Sequence, residues 1–213
     1  MATSETEKLA PHRALAEGDP VMAELIERLG ELSIKARRRR HPPVDAYGML
    51  LRSVVSQQVS AKSAATIHGR VLELFDGRTP TPADLLGVGE AKLRAAGLSG
   101  RKVSYVRDLA AHIESGELEL GRLGELSDAK VVAEISGIRG FGVWSAQMFL
   151  MFFLERPDVL PVGDLGIRRA VERAYGLERL PDAGELERIA EPWRPQRTLA
   201  CVYLWESLAN APA

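Results

Sequence analysis

Apolar residues recur at helical spacing along most of the chain. They return every three or four positions within Val21–Leu32 and Lys102–Ser115, and Val143–Leu154 is apolar almost throughout. This period places apolar side chains on one face of a helix. No segment alternates apolar and polar residues as a half-buried strand does. The pattern therefore predicts an all-α fold of about ten helices.

Capping residues and helix breakers set the predicted boundaries. Asp19 is typical of an N-cap and Pro20 of a first helical position, and Ser127 and Asp182 suit further helix starts. Residues 37–43, four arginines before His-Pro-Pro, predict a solvated linker. The last helix is predicted over Trp193–Ala209, with Pro195 in its first turn. The remaining predicted helices are Asp45–Gln57, Ser60–Phe75, Ala83–Leu86, Glu90–Ala95, Ala129–Ile135, Leu165–Tyr175 and Ala183–Ala190.

Composition excludes several classes of protein. The chain has 213 residues, of which 46% are hydrophobic and 27% charged, values typical of a globular protein with a buried core. The apolar run Met148–Leu154 is far shorter than the about 20 residues of a membrane span, and the polar N-terminus does not resemble an export signal. We expect a cytoplasmic protein with no membrane partner. One cysteine and four scattered histidines exclude an internal disulfide, a four-cysteine iron–sulfur cluster and a CxxC zinc site.

The charge balance does not by itself indicate a partner. There are 28 basic and 29 acidic residues, for a formal net charge of −1. This sum does not predict nucleic-acid binding, but the local placement of charges matters more than their total.

Two glycines flank one apolar residue between two predicted helices. Gly140 and Gly142 enclose Phe141, and the next helix begins at Val143. Glycine permits positive φ and a close approach of the backbone to another molecule. The N-terminus of a helix attracts phosphate through its amides and its dipole. A neutral protein could bind DNA in this way, although an ordinary helix–helix turn has the same spacing.

One carboxylate stands at a predicted helix start. Asp164 follows a loop that contains Pro161 and Gly163. Aspartate is a favoured N-cap, and capping alone would account for it. A carboxylate that faces a cleft could also stabilise a cationic transition state.

The segment Ile138–Ala146, with the Pro/Gly-rich loop and Asp164 after it, resembles the helix-hairpin-helix motif of a superfamily of base-excision DNA glycosylases. The most similar branch is the alkylbase, or 3-methyladenine, DNA glycosylase II group, in a compact form without an N-terminal α/β domain. Three other stretches match this branch, and the resemblance covers residues 18–210. They are Ser53–Lys62, Gly97–Lys102 and Pro192–Pro195.

The resemblance implies two helical subdomains with a cleft between them. The six-helix subdomain would comprise residues 45–156 and carry the hairpin. The second subdomain would join residues 18–44 to residues 157–213 and carry Asp164.

The resemblance also implies a chemistry. A monofunctional glycosylase of this group flips an alkylated purine, such as 3-methyladenine or 7-methylguanine, out of double-stranded DNA and hydrolyses its N-glycosidic bond. Because the alkylated base already carries positive charge, it departs without a general acid, and Asp164 alone would stabilise the sugar cation. Trp144 stands where bifunctional relatives have a lysine, and since tryptophan is no nucleophile, no lyase step is expected. The enzyme would need no cofactor and act as a monomer, associated with the nucleoid in a bacterium.

The remaining site residues are implied by position. Gln58 would fill the gap that the flipped base leaves. The Val202 and Leu165 positions carry aromatic residues in some relatives, which implies a wider or less aromatic pocket. A sodium or potassium ion would bind the backbone carbonyls of Ser136, Ile138 and Phe141. The expected base pocket is Trp144, Met148, Leu165, Val202 and Trp205, and the expected DNA contacts are Gln57, Gln58, Lys62, Arg101, Lys102, Arg139, Gly140 and Gly142.

Alternatives remain at this stage. Trp144 and Met148 share a helix face, a pattern also typical of a core. The pair Gln57-Gln58 also suits a plain interhelical turn. For the whole chain, the alternatives are a non-catalytic helix-hairpin-helix DNA-binding protein, a glycosylase for another base lesion, and a helical interaction protein that does not bind DNA.

Overall fold

The protein consists of two compact helical units. The computed structural model describes residues 2–34 and 45–209. The central unit is Pro43–Phe149, and the split unit combines Met1–Pro42 with Leu150–Ala213. Every regular element in the described residues is a helix, which confirms the predicted all-α class. The chain passes from the central to the split unit at Phe149, within a helix and earlier than the expected residue 156.

Twelve α-helices and two 3₁₀-helices lie within the described residues. The 3₁₀-helices are Leu120–Glu125 and Glu191–Trp193. The α-helices, numbered here in chain order, are α1 (Ala2–Gly18), α2 (Pro20–Leu29), α3 (Ala46–Ser56), α4 (Ala61–Glu73), α5 (Pro82–Gly87), α6 (Glu90–Ala95), α7 (Gly100–Glu114), α8 (Asp128–Ser136), α9 (Val143–Phe152), α10 (Leu165–Ala174), α11 (Ala183–Ile189) and α12 (Arg197–Ala209).

The predicted capping residues are present at the helix starts. The Asp45 side chain accepts a hydrogen bond from the Gly48 amide at 2.7 Å, and Ser127 and Asp182 cap α8 and α11 in the same way. Each cap satisfies an amide that has no partner within its helix. Local sequence therefore determines where most of these helices begin.

One predicted boundary was wrong, and one helix was not predicted at all. The last helix begins at Arg197 rather than Trp193, because the chain is extended at Arg194, the residue before Pro195. A following proline disfavours helical geometry. Residues Ala2–Gly18 form helix α1, where no element was predicted. The predicted linker at residues 37–43 lies outside the described residues.

Each unit has its own apolar core. In the central unit, α7 packs against α3, α5 and α6, and its Val106 and Leu109 are fully buried. In the split unit, α12 packs against α2 and α10, and its Tyr203 and Leu204 are fully buried. Helix α12 is thus the central support of the segment that contains Asp164. Among the described residues, no helix has the length and apolar character needed to cross a bilayer.

A buried carboxylate joins three parts of the split unit. Oδ1 of Asp19 accepts hydrogen bonds from the amides of Val21 and Met22 and caps α2. Oδ2 accepts from the Tyr175 hydroxyl at 2.6 Å and from Trp193 Nε1 at 3.0 Å. Burial raises the pKa of Tyr175, which keeps its hydroxyl a donor. The network ties the end of α10 to α2.

Candidate active site

Asp164 caps helix α10 and is held by a second helix. Its Oδ1 accepts a hydrogen bond from the Ile167 amide at 2.8 Å, the N-cap contact that the sequence suggested. The same oxygen accepts from Trp205 Nε1 at 3.1 Å. Trp205 lies on α12, so two helices define the position of this half-buried carboxylate.

Gly166 allows the Trp205 ring to lie against the start of α10. A Cβ at this position would lie 3.0 Å from Asp164 Oδ1 and 3.2 Å from both Cδ1 and Nε1 of Trp205. The ring of Phe152 lies beside Trp205, with centroids 5.9 Å apart. The indole is therefore confined, which fixes the direction of its N–H.

Helix α12 also anchors the loop that precedes Asp164. Arg197 donates from Nε to Asp158 Oδ1 at 2.6 Å and from Nη2 to Oδ2 at 3.0 Å. The fully buried Thr198 hydroxyl donates to the Arg156 carbonyl at 2.6 Å and accepts from the Val159 amide at 3.1 Å. These contacts give the loop a fixed start before it reaches Pro161, whose carbonyl accepts from the Asp164 amide.

The Asp164 carboxylate affects a buried thiol. Burial and the nearby charge of Asp164 raise the pKa of Cys201 well above its usual range. The thiol therefore stays protonated and is no nucleophile at neutral pH.

Two of the predicted pocket residues in this unit differ in exposure. Leu165, which follows Asp164, is exposed. Val202 is only 3% exposed and lies in the core of the split unit, and its place in a base pocket stays a prediction. Val202 lies on α12 as Trp205 does, but it is Trp205 whose side chain contacts Asp164.

The glycine hairpin of the central unit is built on α7. Gly140 has a φ of +91°, and a Cβ there would overlap the Tyr105 ring, so only glycine fits. The Arg139 amide donates to Asp108 Oδ2 at 2.9 Å. Gly142 has no positive φ, and nothing lies near its Cβ position. The backbone conformation that requires glycine is therefore present at Gly140 and not at Gly142.

The turn between α3 and α4 is linked to the hairpin. Gln58 is exposed and has a φ of +57°, a left-handed conformation that costs a non-glycine residue about 1–2 kcal/mol. The neighbouring Gln57 donates from Nε2 to the Gly140 carbonyl at 2.9 Å. This hydrogen bond ties the turn to the hairpin.

Three of the four predicted phosphate-binding side chains are exposed in the central unit: Lys62, Arg101 and Arg139. The fourth, Lys102, is 9% exposed and donates from Nζ to the Val55 carbonyl at 2.7 Å. Burial lowers its pKa. The predicted phosphate contact of Lys102 was therefore wrong, because its side chain turns inward to the end of α3.

Trp144 lies on the first turn of α9 and is 46% exposed, which argues against a core role. Met148, one turn later, is half-buried.

Comparison with known proteins identifies the family of this chain. A sequence profile of the HhH-GPD superfamily of base excision DNA repair proteins matches residues 51–195. The chain belongs to this superfamily.

Relatives within the HhH-GPD superfamily are named as DNA-3-methyladenine glycosylases. DNA-3-methyladenine glycosylase 1 of Schizosaccharomyces pombe is 32% identical over 165 residues, 76% of this chain and 72% of the relative. The chain spans 58% of the length of another relative, from Bacillus subtilis, at 29% identity.

Solved structures show the same fold. A DNA-3-methyladenine glycosidase from Bacillus halodurans superposes with a TM-score of 0.83 at 34% identity, and the match covers 94% of this chain and 89% of that one. The 3-methyladenine DNA glycosylase of S. pombe, in complex with abasic DNA, gives a TM-score of 0.81 at 28% identity, over 95% and 98% of the two chains.

Several supporting residues of this HhH-GPD site were not predicted. Gly166 could have been found from the sequence, because glycine in the first turn of a predicted helix lowers stability and indicates that a neighbouring side chain packs closely there. Tyr105, Asp108 and Arg197 carry none, because their partners are distant in sequence.

Proposed function

We propose that this protein is a monofunctional DNA glycosylase that hydrolyses the N-glycosidic bond of alkylated purines in double-stranded DNA. The observation that carries the proposal is the Asp164 carboxylate, held by Ile167 and Trp205 within a chain of the HhH-GPD superfamily. The names of its relatives support the substrate class.

The proposed reaction needs one carboxylate. As the bond between C1′ and the base nitrogen breaks, its electron pair neutralises the positive charge of the alkylated base, so the base leaves without a proton donor. The sugar becomes an oxocarbenium-like cation, as in glycoside hydrolysis generally. Asp164 stabilises that cation and orients the water that adds to C1′. This water gives its proton to the carboxylate, which passes it on to solvent. A carboxylate already fixed by two hydrogen bonds needs little reorganisation to do so.

The exposed ring of Trp144 suits a cationic base. The electron-rich face of tryptophan attracts a cation by about 0.5–2 kcal/mol. Trp144 provides no amine for a Schiff base, which supports hydrolysis without a lyase step. In the central unit, Met148 on the same helix is also proposed to contact the base. In the split unit, this role is proposed for Leu165, Val202 and Trp205.

Contacts to DNA are proposed for the central unit. The hairpin at Gly140 and Gly142 would approach one phosphate closely, and the exposed side chains of Lys62, Arg101 and Arg139 would bind others. Gln58 would fill the space of the flipped nucleotide. We propose that the protein acts on DNA as a monomer in the cytoplasm, at the nucleoid in a bacterial cell.

A monovalent cation at the hairpin is also part of the proposal. Sodium and potassium prefer oxygen ligands, which the carbonyls of Ser136, Ile138 and Phe141 would supply. The Ile138 carbonyl accepts the Phe141 amide at 3.1 Å and, with two lone pairs, keeps the capacity for a second partner. The ion would support the hairpin and take no part in the chemistry.

The test is the release of free bases from methylated duplex DNA, separated by chromatography. The wild type should release 3-methyladenine or 7-methylguanine, and Asp164→Asn should be at least about 100-fold slower. Asparagine caps a helix as well as aspartate does, so the variant should remain folded and bind DNA.

The matched control is Asp182→Asn, which changes the N-cap of α11 in the same unit. It should release bases as fast as the wild type. A wild type that binds DNA but releases no base would support the non-catalytic alternative, and an active Asp164→Asn would overturn the assignment of this carboxylate.

A further inference from the structure

The turn that carries Gln58 is braced from inside the protein. We propose that Lys102 is a positioning residue that, together with Gln57, holds Gln58 ready to insert into the duplex. The inference rests on the proposed function. It assigns a role in base flipping to a side chain that does not face the DNA.

The first brace acts on the end of α3. Nζ of Lys102 donates to the Val55 carbonyl at 2.7 Å. Val55 lies in the last turn of α3, where backbone carbonyls have no partner within the helix. The Val55 side chain is fully buried, so this carbonyl has a fixed position. Lys102 therefore fixes the point from which the turn departs.

The second brace acts on the turn itself. Nε2 of Gln57 donates to the carbonyl of Gly140, at the tip of the hairpin. Ser60 then caps α4 through the Ser63 amide at 3.2 Å. Gln58 is thus held on both sides, which is consistent with its strained left-handed conformation. Strain of this kind persists only where the surroundings determine the backbone.

Helix α7 supplies both supports. Lys102 in its first turn reaches α3, while Tyr105 and Asp108, one and two turns later, support Gly140 and Arg139. Because one rigid helix holds the turn and the hairpin, the spacing between Gln58 and the hairpin is fixed. Phosphate contacts at the hairpin would then set where Gln58 meets the base stack.

The activity test compares the release of 7-methylguanine from a correct base pair and from a mismatch. Extrusion of a base costs less from a mismatch than from a paired duplex. Lys102→Met removes the donor and keeps an unbranched side chain. We expect it to slow single-turnover release of 7-methylguanine about 10-fold opposite cytosine and at most about 2-fold opposite thymine. An equal loss in both contexts, or no loss, would overturn the inference, because a general structural defect affects both substrates alike.

Two further variants sharpen this test. Gln57→Met should show the same context-dependent loss. The double variant Lys102→Met/Gln58→Ala should be no slower than Gln58→Ala alone, whereas additive losses would show independent roles and refute the inference. Lys130→Met, an exposed lysine on α8, is the matched control and should behave as the wild type.

A binding experiment tests the inference without catalysis. A duplex carries a tetrahydrofuran abasic analogue beside 2-aminopurine, whose fluorescence rises when it loses stacking. The wild type should raise the fluorescence on binding, and Lys102→Met should bind with a smaller rise. No rise with the wild type, or an equal rise with the variant, would overturn the inference. If the wild type raises the fluorescence but releases no base from methylated DNA, the proposed function fails and the positioning role stands.

Discussion

Trp205 donates a 3.1 Å hydrogen bond to the same oxygen of Asp164 that caps helix α10. A second donor to Oδ1 is the Ile167 amide, at 2.8 Å. One contact comes from the helix that begins at Asp164, and the other crosses from α12. The direction of the carboxylate is therefore a property of the packing of two helices.

Trp205→Phe should slow base release and leave the protein folded. Phenylalanine keeps the packing beside Phe152 but lacks the N–H. Since a hydrogen bond to a charged group contributes about 1.5–3 kcal/mol, we expect a loss of about 10- to 100-fold in single-turnover rate. Phe152→Leu, which changes a ring beside the indole but removes no hydrogen bond to Asp164, is the control and should lose much less. An unchanged rate in Trp205→Phe would show that the contact does not orient the carboxylate.

Gly166→Ala should reduce activity without the usual gain in stability. Alanine in a helix is normally favoured over glycine by about 1 kcal/mol. Here the new Cβ would lie 3.0 Å from Asp164 Oδ1 and 3.2 Å from Trp205, so one of them must shift.

The matched control is Gly184→Ala, at the same position of α11, two residues after its capping Asp182. Its new Cβ would make only ordinary contacts, the nearest at 3.6 Å. This variant should raise the melting temperature and keep full activity. A Gly166→Ala protein that is both more stable and fully active would contradict the role of Gly166.

Arg197→Met should destabilise the split unit. Its guanidinium, with a side chain only 15% exposed, makes a two-pronged contact with Asp158, and both of these hydrogen bonds would be lost while the contact from Arg194 remains. We expect the free energy of unfolding in urea to fall by about 2 kcal/mol. Arg194→Met breaks a more exposed contact to the same carboxylate and should cost less. Equal losses would show that burial does not decide the strength of these ion pairs.

Stability should fall as the pH drops below the ordinary pKa of histidine. Burial lowers the pKa of His12 and of His68 in the folded protein. The unfolded chain therefore binds protons at a higher pH than the folded one, and stability is lost as pH falls through about 6.5. The melting temperature should decrease from about pH 7.5 to 5.5. His12→Gln/His68→Gln should flatten this profile, and an unchanged slope would assign it to other groups.

The different orientation of Lys102 has a clear physical cause. Lys102 looks like an exposed phosphate contact beside Arg101, but its partner is the Val55 carbonyl, 47 residues away. A contact distant in sequence therefore decides which way this side chain points.

The sequence alone determined the all-α class and most helix starts, because helical periodicity and capping act over a few neighbouring positions. The tertiary structure decided which of the candidate residues are fixed by hydrogen bonds and which residues provide those bonds. Trp205 reaches Asp164 across 41 residues, and Gln57 reaches Gly140 across 83. Such pairs form only when helices pack, because the core fixes their separation before any side chain can bridge it.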